Sequence, residues 1–327
     1  MSRDTYLIST QSYLHARGKE EETPLQHCYL LETDFAGDLR KIRIETPTDN
    51  PGGERIKGGL RGISIWRGQI YVATWNSILV IRYPDLRIVD TFDHPLMSDL
   101  HGLHVDDHGI WITNTLIDVL LKFDHDRKLK GVLTFSDTKL YPRAKRTEAD
   151  LTQDYRLRGK RLHGFLKFHA NHVQSFDDKT VLVTGRGHKD TVGRVIKVDR
   201  ETLEWKPWIT KLKGPHDGLF IRPGCYAVTE TDTSAIALID TDRWRPKVTK
   251  RLYVPGGGPK FWTRGLCQGR NGHLFAGRSV WKGDPHLGRV AEFDAEGNFV
   301  AEHELPIDDY PECRVFQVCP APRNGDA

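Results

Sequence analysis

The sequence predicts an all-β fold, a single six-bladed β-propeller with four-stranded blades closed into a ring, and three observations predict it. Short runs rich in Val, Ile and aromatic residues alternate with Gly, Asp and Asn turns, the pattern of successive strands. That pattern recurs five times along the 327 residues. The two ends of the chain each carry a fraction of one more copy.

The first copy begins at Gly59 as GLRGISIWRGQIYVATWNSILVIRYPDLRIVDTF, and the second at Asp99 as DLHGLHVDDHGIWITNTLIDVLLKFDHDRKLKGVLTF. The third starts at His169, the fourth at Pro215 and the fifth at Trp262. They align on Gly62, Gly102, His172, Gly218 and Gly265, spaced by roughly 40 to 50 residues apart from one longer interval, the range of a propeller repeat. A four-stranded unit of this length cannot bury both faces alone, so copies must stack, and a radial stack is a propeller. The C-terminal CRVFQVCPAP resembles a first strand only, and the N-terminal TYLISTQSYL, QHCYLLETDF and DLRKIRIE resemble second, third and fourth strands. Pairing them completes a sixth blade and removes exposed sheet edges. Residues 1–327 are thus expected to form one domain. The stretch from Ser136 to Phe168 falls between blades as a lid-like, basic insertion with a short helix expected around Thr147 to Tyr155.

Composition narrows the function classes. Lys and Arg number 48 against 44 Asp and Glu, a net charge of +4, too slight and too dispersed for nucleic-acid binding. No apolar run reaches the roughly 18 to 20 residues needed to cross a bilayer, so no membrane partner is expected. The five cysteines are odd in number and include no Cys-x-x-Cys, which fits reduced thiols in a cytoplasmic protein.

In a propeller the residues just before the aligned glycine converge on one mouth of the axial channel. Here they are Arg61, His101, Asn171, Asp217, Arg264 and Arg314, with His172 and His216 at the same level. Three successive blades thus supply His101, then Asn171 with His172, then His216 with Asp217. Imidazole nitrogens suit zinc or iron, and amide and carboxylate oxygens suit calcium or manganese, so a divalent metal is the expected cofactor and its identity stays open. Arg61, Arg264 and Arg314, joined by Arg186 and Arg278 from neighbouring loops, present guanidinium forks suited to a small anionic substrate. Pairing with Asp99, Asp217 or Glu230 is the competing explanation for those arginines. His188 in TGRGHKD and Glu230 are the candidate proton-transfer groups.

The motifs ANHV (Ala170 to Val173) and HDGL (His216 to Leu219) resemble the Asn-Gly and Asp-Gly motifs of the regucalcin/gluconolactonase family, whose members are six-bladed propellers of similar size. The resemblance implies that Asn171 and Asp217 bind a central divalent metal in lactone or ester hydrolysis. The family also supplies a Glu from an inner strand near its N-terminus, where this chain has Arg61 or Arg314. His101 stands where another Asn is expected. HGLHVDDHGIWITNT looks like the repeat of streptogramin lyases, and the three-blade histidine set is similar to that of peptidyl-hydroxyglycine lyase propellers, which implies bond cleavage without water. The expected function is therefore that of a metal-dependent hydrolase or lyase. The alternatives are a non-catalytic ligand- or protein-binding propeller and an iron-dependent oxidative enzyme.

Overall fold

A computed structural model describes residues 4–12, 26–46, 59–135, 149–156, 168–187, 192–255, 261–280, 288–305 and 313–323. The first three strands are β1 (Tyr6–Ser12), β2 (Gln26–Thr33) and β3 (Leu39–Thr46). Blade one follows as β4 (Ile63–Trp66), β5 (Gln69–Ala73), β6 (Ser77–Arg82) and β7 (Arg87–Asp93). Blade two is β8 (Leu100–Asp106), β9 (Gly109–Asn114), β10 (Val119–Phe123) and β11 (Leu129–Thr134), and blade three β12 (Ala170–Asp177), β13 (Thr180–Gly185), β14 (Gly193–Asp199) and β15 (Trp205–Leu212). Blade four is β16 (Pro215–Arg222), β17 (Cys225–Glu230), β18 (Ala235–Asp240) and β19 (Lys247–Tyr253). Blade five is β20 (Phe261–Gln268), β21 (Leu274–Val280), β22 (Arg289–Phe293) and β23 (Phe299–Glu304), and β24 (Cys313–Pro320) ends the series.

These strands form six four-stranded antiparallel sheets, the sixth in the order β24-β1-β2-β3. The expected six-bladed propeller, closed by N-terminal strands on a C-terminal one, is therefore the observed fold. Within the insertion, residues 149–156 form turns rather than helix. Second strands such as GIWITN of β9 are buried throughout, because they lie between neighbouring sheets, whereas outermost strands such as β7 are mostly exposed. Apolar side chains fill each gap between sheets. Tyr71, Val80 and Phe92 of blade one, for example, pack on Leu103, Ile112 and Phe123 of blade two, and this inter-sheet burial is the main stabilising term of the ring.

Closure uses more than the β1–β24 ladder. That ladder runs from Tyr6 opposite Pro320 to Ser12 opposite Cys313. On its other side, the Gln317 carboxamide accepts from the Ile63 N–H at 2.7 Å and donates to the Ile63 carbonyl at 3.3 Å. Ser9 Oγ donates to the Arg61 carbonyl and accepts from the Gln317 N–H.

The innermost strands come very close around the axis, which is why glycine recurs at the aligned position. A Cβ on Gly62 would lie 2.7 Å from the His101 carbonyl oxygen and the Leu103 nitrogen. One on Gly102 would lie 2.6 Å from His172 Cα, and one on Gly265 2.7 Å from Gln317 Cα. Gly265 also has φ of +69°, a left-handed conformation that a side chain opposes. Because the obstructing atoms are backbone, Gly62→Ala and Gly102→Ala are each expected to cost roughly 2 to 4 kcal/mol. Gly131→Ala, whose Cβ would meet only the Leu203 side chain, should cost under about 1 kcal/mol. Denaturant unfolding of the three variants checks the ranking.

Candidate functional site

The close approach of the inner strands goes with a recurring irregularity. The ladders between first and second strands slip between Leu100 and Leu103, Ala170 and His172, Pro215 and Gly218, and Arg264 and Leu266. Each slip is a bulge that frees its residues from regular alternation and re-aims them. The second strand supplies a threonine hydroxyl in place of the lost ladder bond. The Gly102 N–H donates to Thr113 Oγ1 at 2.6 Å and the Asp217 N–H to Thr229 Oγ1 at 2.8 Å. Residues of HGL, ANH and HDG thereby turn towards the axis.

Phe316 of β24 is the hub. Its ring centroid lies 5.4 Å from that of His101 and 5.3 Å from that of His216, both edge-on. The guanidinium carbons of Arg61 and Arg264 each lie 5.6 Å from the same ring. Gly265 abuts Gln317, so Phe316, not Arg314, holds the sixth blade's axial place. Arg314 is buried two residues earlier on β24. The sequence alignment missed this because the aligned glycine is replaced by Gln317, leaving no punctuation from which to count.

His101 and His216 come together as expected, with ring centroids 6.0 Å apart. A third imidazole joins them that the sequence reading passed over. The His169 ring centroid is 5.5 Å from that of His101, at an interplanar angle of 76°. His169 stands two residues before Asn171, as Asp99 stands two before His101, and both have left-handed backbones with φ of 53°. The signal was therefore present in the repeat: the blade-three equivalent of Asp99 is a histidine. His172, by contrast, lies on the β12 ladder opposite Thr184, with Nδ1 buried and without a hydrogen-bond partner among the described residues.

The hydrogen bonds assign the His216 tautomer. His216 Nδ1 is 2.9 Å from Asp217 Oδ2, which also accepts from the Gly265 N–H at 2.7 Å. Burial pushes the Asp217 carboxyl up, but His216, then His172 and the Gly265 N–H, outweigh it and hold the group below the usual carboxylate range. The carboxylate is thus ionised, Nδ1 carries the proton, and Nε2 is a basic nitrogen, buried with no partner among the described residues. His101 Nδ1 lies 3.0 Å from the Asp99 carbonyl oxygen and 3.0 Å from Thr115 Oγ1. Arg61 Nη1, which can only donate, is also 2.9 Å from His101 Nδ1; the same Nη1 bonds the Leu100 carbonyl at 3.0 Å and ion-pairs with Asp99 Oδ1 at 2.7 Å.

Burial, then the charge of Arg61, pushes His101 well below the ordinary histidine pKa, with Asp99 opposing. Burial likewise lowers His216; Asp217 opposes it, and Arg264 and Arg186 add to it. His172 is lowered to about 4, chiefly by burial. These rings are neutral near pH 7.

The anion-binding set disperses. Arg61 is 1 % exposed and ion-paired with Asp99, so its charge is already neutralised. Arg186 pairs with Asp232 and lies over Trp262, and Arg278 pairs with Glu302 of the outermost strand. Arg264 remains near the axis, its guanidinium over both Trp262 and Phe316. Glu230 is fully buried but faces outwards, accepting from Arg251 Nε of β19 at 2.6 Å and from the Lys213 N–H at 3.0 Å. Its carboxylate is committed to holding the blade, and the expected proton-transfer role does not fit its position. His188 and most of the insertion lie outside the described residues.

Among the described residues, no group of three or more His, Cys, Asp or Glu side chains stands as a ready-made metal cage. The donor chemistry nevertheless fits a cation. His216 Nε2 and Asn171 Oδ1 are buried without partners, while Asn171 Nδ2 is tied to the Pro215 carbonyl at 3.1 Å, which fixes which end of the amide is free. Imidazole nitrogens at about 2.1 Å from a tetrahedral metal place ring centroids roughly 5 to 5.5 Å apart. The spacings of His101 from His169 and from His216, 5.5 and 6.0 Å, lie at the top of that range and just above it. Among the carboxylates, Asp217 orients His216 rather than completing a shell, an arrangement common behind metal-bound histidines.

No family model matches the sequence, and no curated protein matches it as a relative. Solved structures do match the fold. A protein of unknown function from Bacteroides caccae superposes with a TM-score of 0.62 at 13% identity, covering 98% of this chain and 100% of that one. The nidogen/laminin complex contains a chain matching at 0.59 and 11% identity, over 97% and 98% of the two. A calcium-binding protein, regucalcin, from Agrobacterium tumefaciens matches at 0.51 and 15% identity, over 76% and 74%. The class of protein is thereby fixed as a six-bladed propeller. Within that class the chain is similar in fold to regucalcin-like structures.

The buried imidazoles carry a pH signature. A histidine whose folded pKa is depressed is unprotonated in the native state while the unfolded chain takes up a proton, so stability falls as pH drops below the unfolded value of 6.5 towards about 4 for His172. Each such ring adds a slope of up to about 1.4 kcal/mol per pH unit. Denaturant unfolding of chelator-treated protein between about pH 7 and pH 4.5 should show this loss, and His172→Asn should make the slope shallower.

Proposed function

We propose that this propeller is a metal-dependent enzyme, a hydrolase or lyase, acting on a small anionic molecule at the axial cluster. The observation that carries the proposal is the basic, buried and unpartnered Nε2 of His216, backed at Nδ1 by an ionised Asp217. A buried polar atom without a partner costs free energy, and a nitrogen lone pair so oriented suits a cation. His101, His169 and His216 would hold the metal, with the Asn171 amide oxygen beside them. A bound divalent ion supplies a Lewis-acid centre that polarises a carbonyl or phosphoryl oxygen and acidifies water.

The remaining groups have assignable tasks. Asp217 keeps His216 in one tautomer and orientation. The Arg61–Asp99 pair holds His101 from behind, and Phe316 closes the floor against water. Arg264, its guanidinium carbon 4.3 Å from the Trp262 ring centroid and 5.6 Å from that of Phe316, would meet the anionic end of a substrate, an arrangement that combines charge with an aromatic wall. The neighbouring fold named as calcium-binding regucalcin supports a metal-bearing propeller. A nitrogen-rich donor set favours zinc or iron over calcium.

Elemental analysis of the purified protein is expected to find about one zinc or iron per chain. His216→Ala should weaken metal binding by at least about 100-fold, and Asp217→Asn by about 10- to 100-fold. Turnover of lactone, ester and acidic elimination substrates should be abolished by a chelator and restored by the metal. Protein without stoichiometric metal, binding ligands equally well in chelator, would instead be a non-catalytic binding propeller. Oxygen consumption with bound iron would select oxidative chemistry.

A further inference from the structure

We propose that Asp118, a buried carboxylate on the preceding blade, is the positioning residue of the axial site, acting by clamping the backbone on both sides of His169. This rests on the reading that His169 belongs to the metal-binding cluster. Asp118 ends the β9–β10 connection of blade two and is 3 % exposed. Its side chain crosses to blade three, where Oδ2 accepts from the Phe168 N–H at 2.6 Å and Oδ1 from the Ala170 N–H at 3.3 Å. The residue between those two amides is His169, held at φ of +53°.

A left-handed histidine is disfavoured by contact between its Cβ and the following carbonyl and persists only where its surroundings over-determine it. The clamp provides two of those restraints. The Arg186 N–H to the His169 carbonyl and the Gly187 N–H to the Phe168 carbonyl provide two more, at 3.1 and 2.9 Å. Accepting two N–H groups at once through two oxygens requires a carboxylate; an amide offers one oxygen and turns an N–H towards a donor. The turn itself does not call for this residue. In blade four the equivalent position, just before β18, is Ser234 with nearly the same φ of 54°. What distinguishes Asp118 is the reach across the blade boundary to the one left-handed histidine among the described residues.

The test is a double-mutant cycle read two ways on full-length protein. In unfolding, Asp118→Asn should lower the midpoint markedly with His169 in place and clearly less in a His169→Gly background, because glycine adopts the left-handed conformation without restraint. In cobalt(II) titration, Asp118→Asn should weaken binding by about tenfold or more and alter the visible absorption band, with no further loss in a His169→Asn background. Equal midpoint shifts in both backgrounds, or unchanged cobalt affinity and spectrum in a folded Asp118→Asn protein, would overturn the assignment. If the parent protein binds no cobalt or zinc, the metal reading of the preceding subsection fails, and the unfolding cycle alone decides whether Asp118 clamps His169.

Discussion

The architecture depends on how closely six innermost strands can approach one another at the ring axis. Glycine at Gly62, Gly102 and Gly265 lets adjoining backbones come within van der Waals contact. At that separation a regular ladder would drive side chains into each other, and the bulges beside His101, Asn171, Asp217 and Gly265 relieve the crowding. The same distortion that lets the ring close therefore swings imidazole, amide and carboxylate groups into its centre. Packing and chemistry share one geometric cause, and the threonines of the second strands repair the hydrogen bonds that the distortion breaks.

Charge at the axis is balanced in layers. Arg61 and Asp99 neutralise each other out of water, a pairing whose worth lies in what its disruption would leave behind, a single buried ion. Asp217 plays a comparable part towards His216 while also accepting from the Gly265 N–H of the next blade. Each polar group in the site is thus supported from a sheet other than its own or from the bulge beneath it. A set of buried imidazoles results, packed on Phe316 and on the surrounding arginine and tryptophan side chains.

The fold was legible because repetition is visible in a single sequence: five strand quartets, four of them aligned on a glycine, and two terminal fragments that add up to a sixth. The blade-two and blade-four contributions to the site, His101 and His216 with Asp217, were legible for the same reason. What escaped was whatever depended on register rather than residue type. Phe316 took the place assigned to Arg314 because Gln317, not glycine, marks the β24 crossing. His169 was passed over for His172 because a left-handed residue two positions upstream can only be recognised once its blade-two counterpart, Asp99, is seen in the same conformation. Glu230 and Arg278 were misjudged in orientation, since a strand end offers two faces and only the Arg251 and Glu302 partners on outer strands reveal which one is used.

The innermost strand of the sixth blade, β24, is also the last of the described strands in chain order, and so emerges after them in synthesis. Phe316, the surface on which His101, His216, Arg61 and Arg264 converge, is consequently missing while the preceding five blades are being made. Five blades can collapse during translation, yet before β24 docks none of the intermediates has the axial cluster complete. Chain order therefore delays convergence of the axial side chains until this strand has docked.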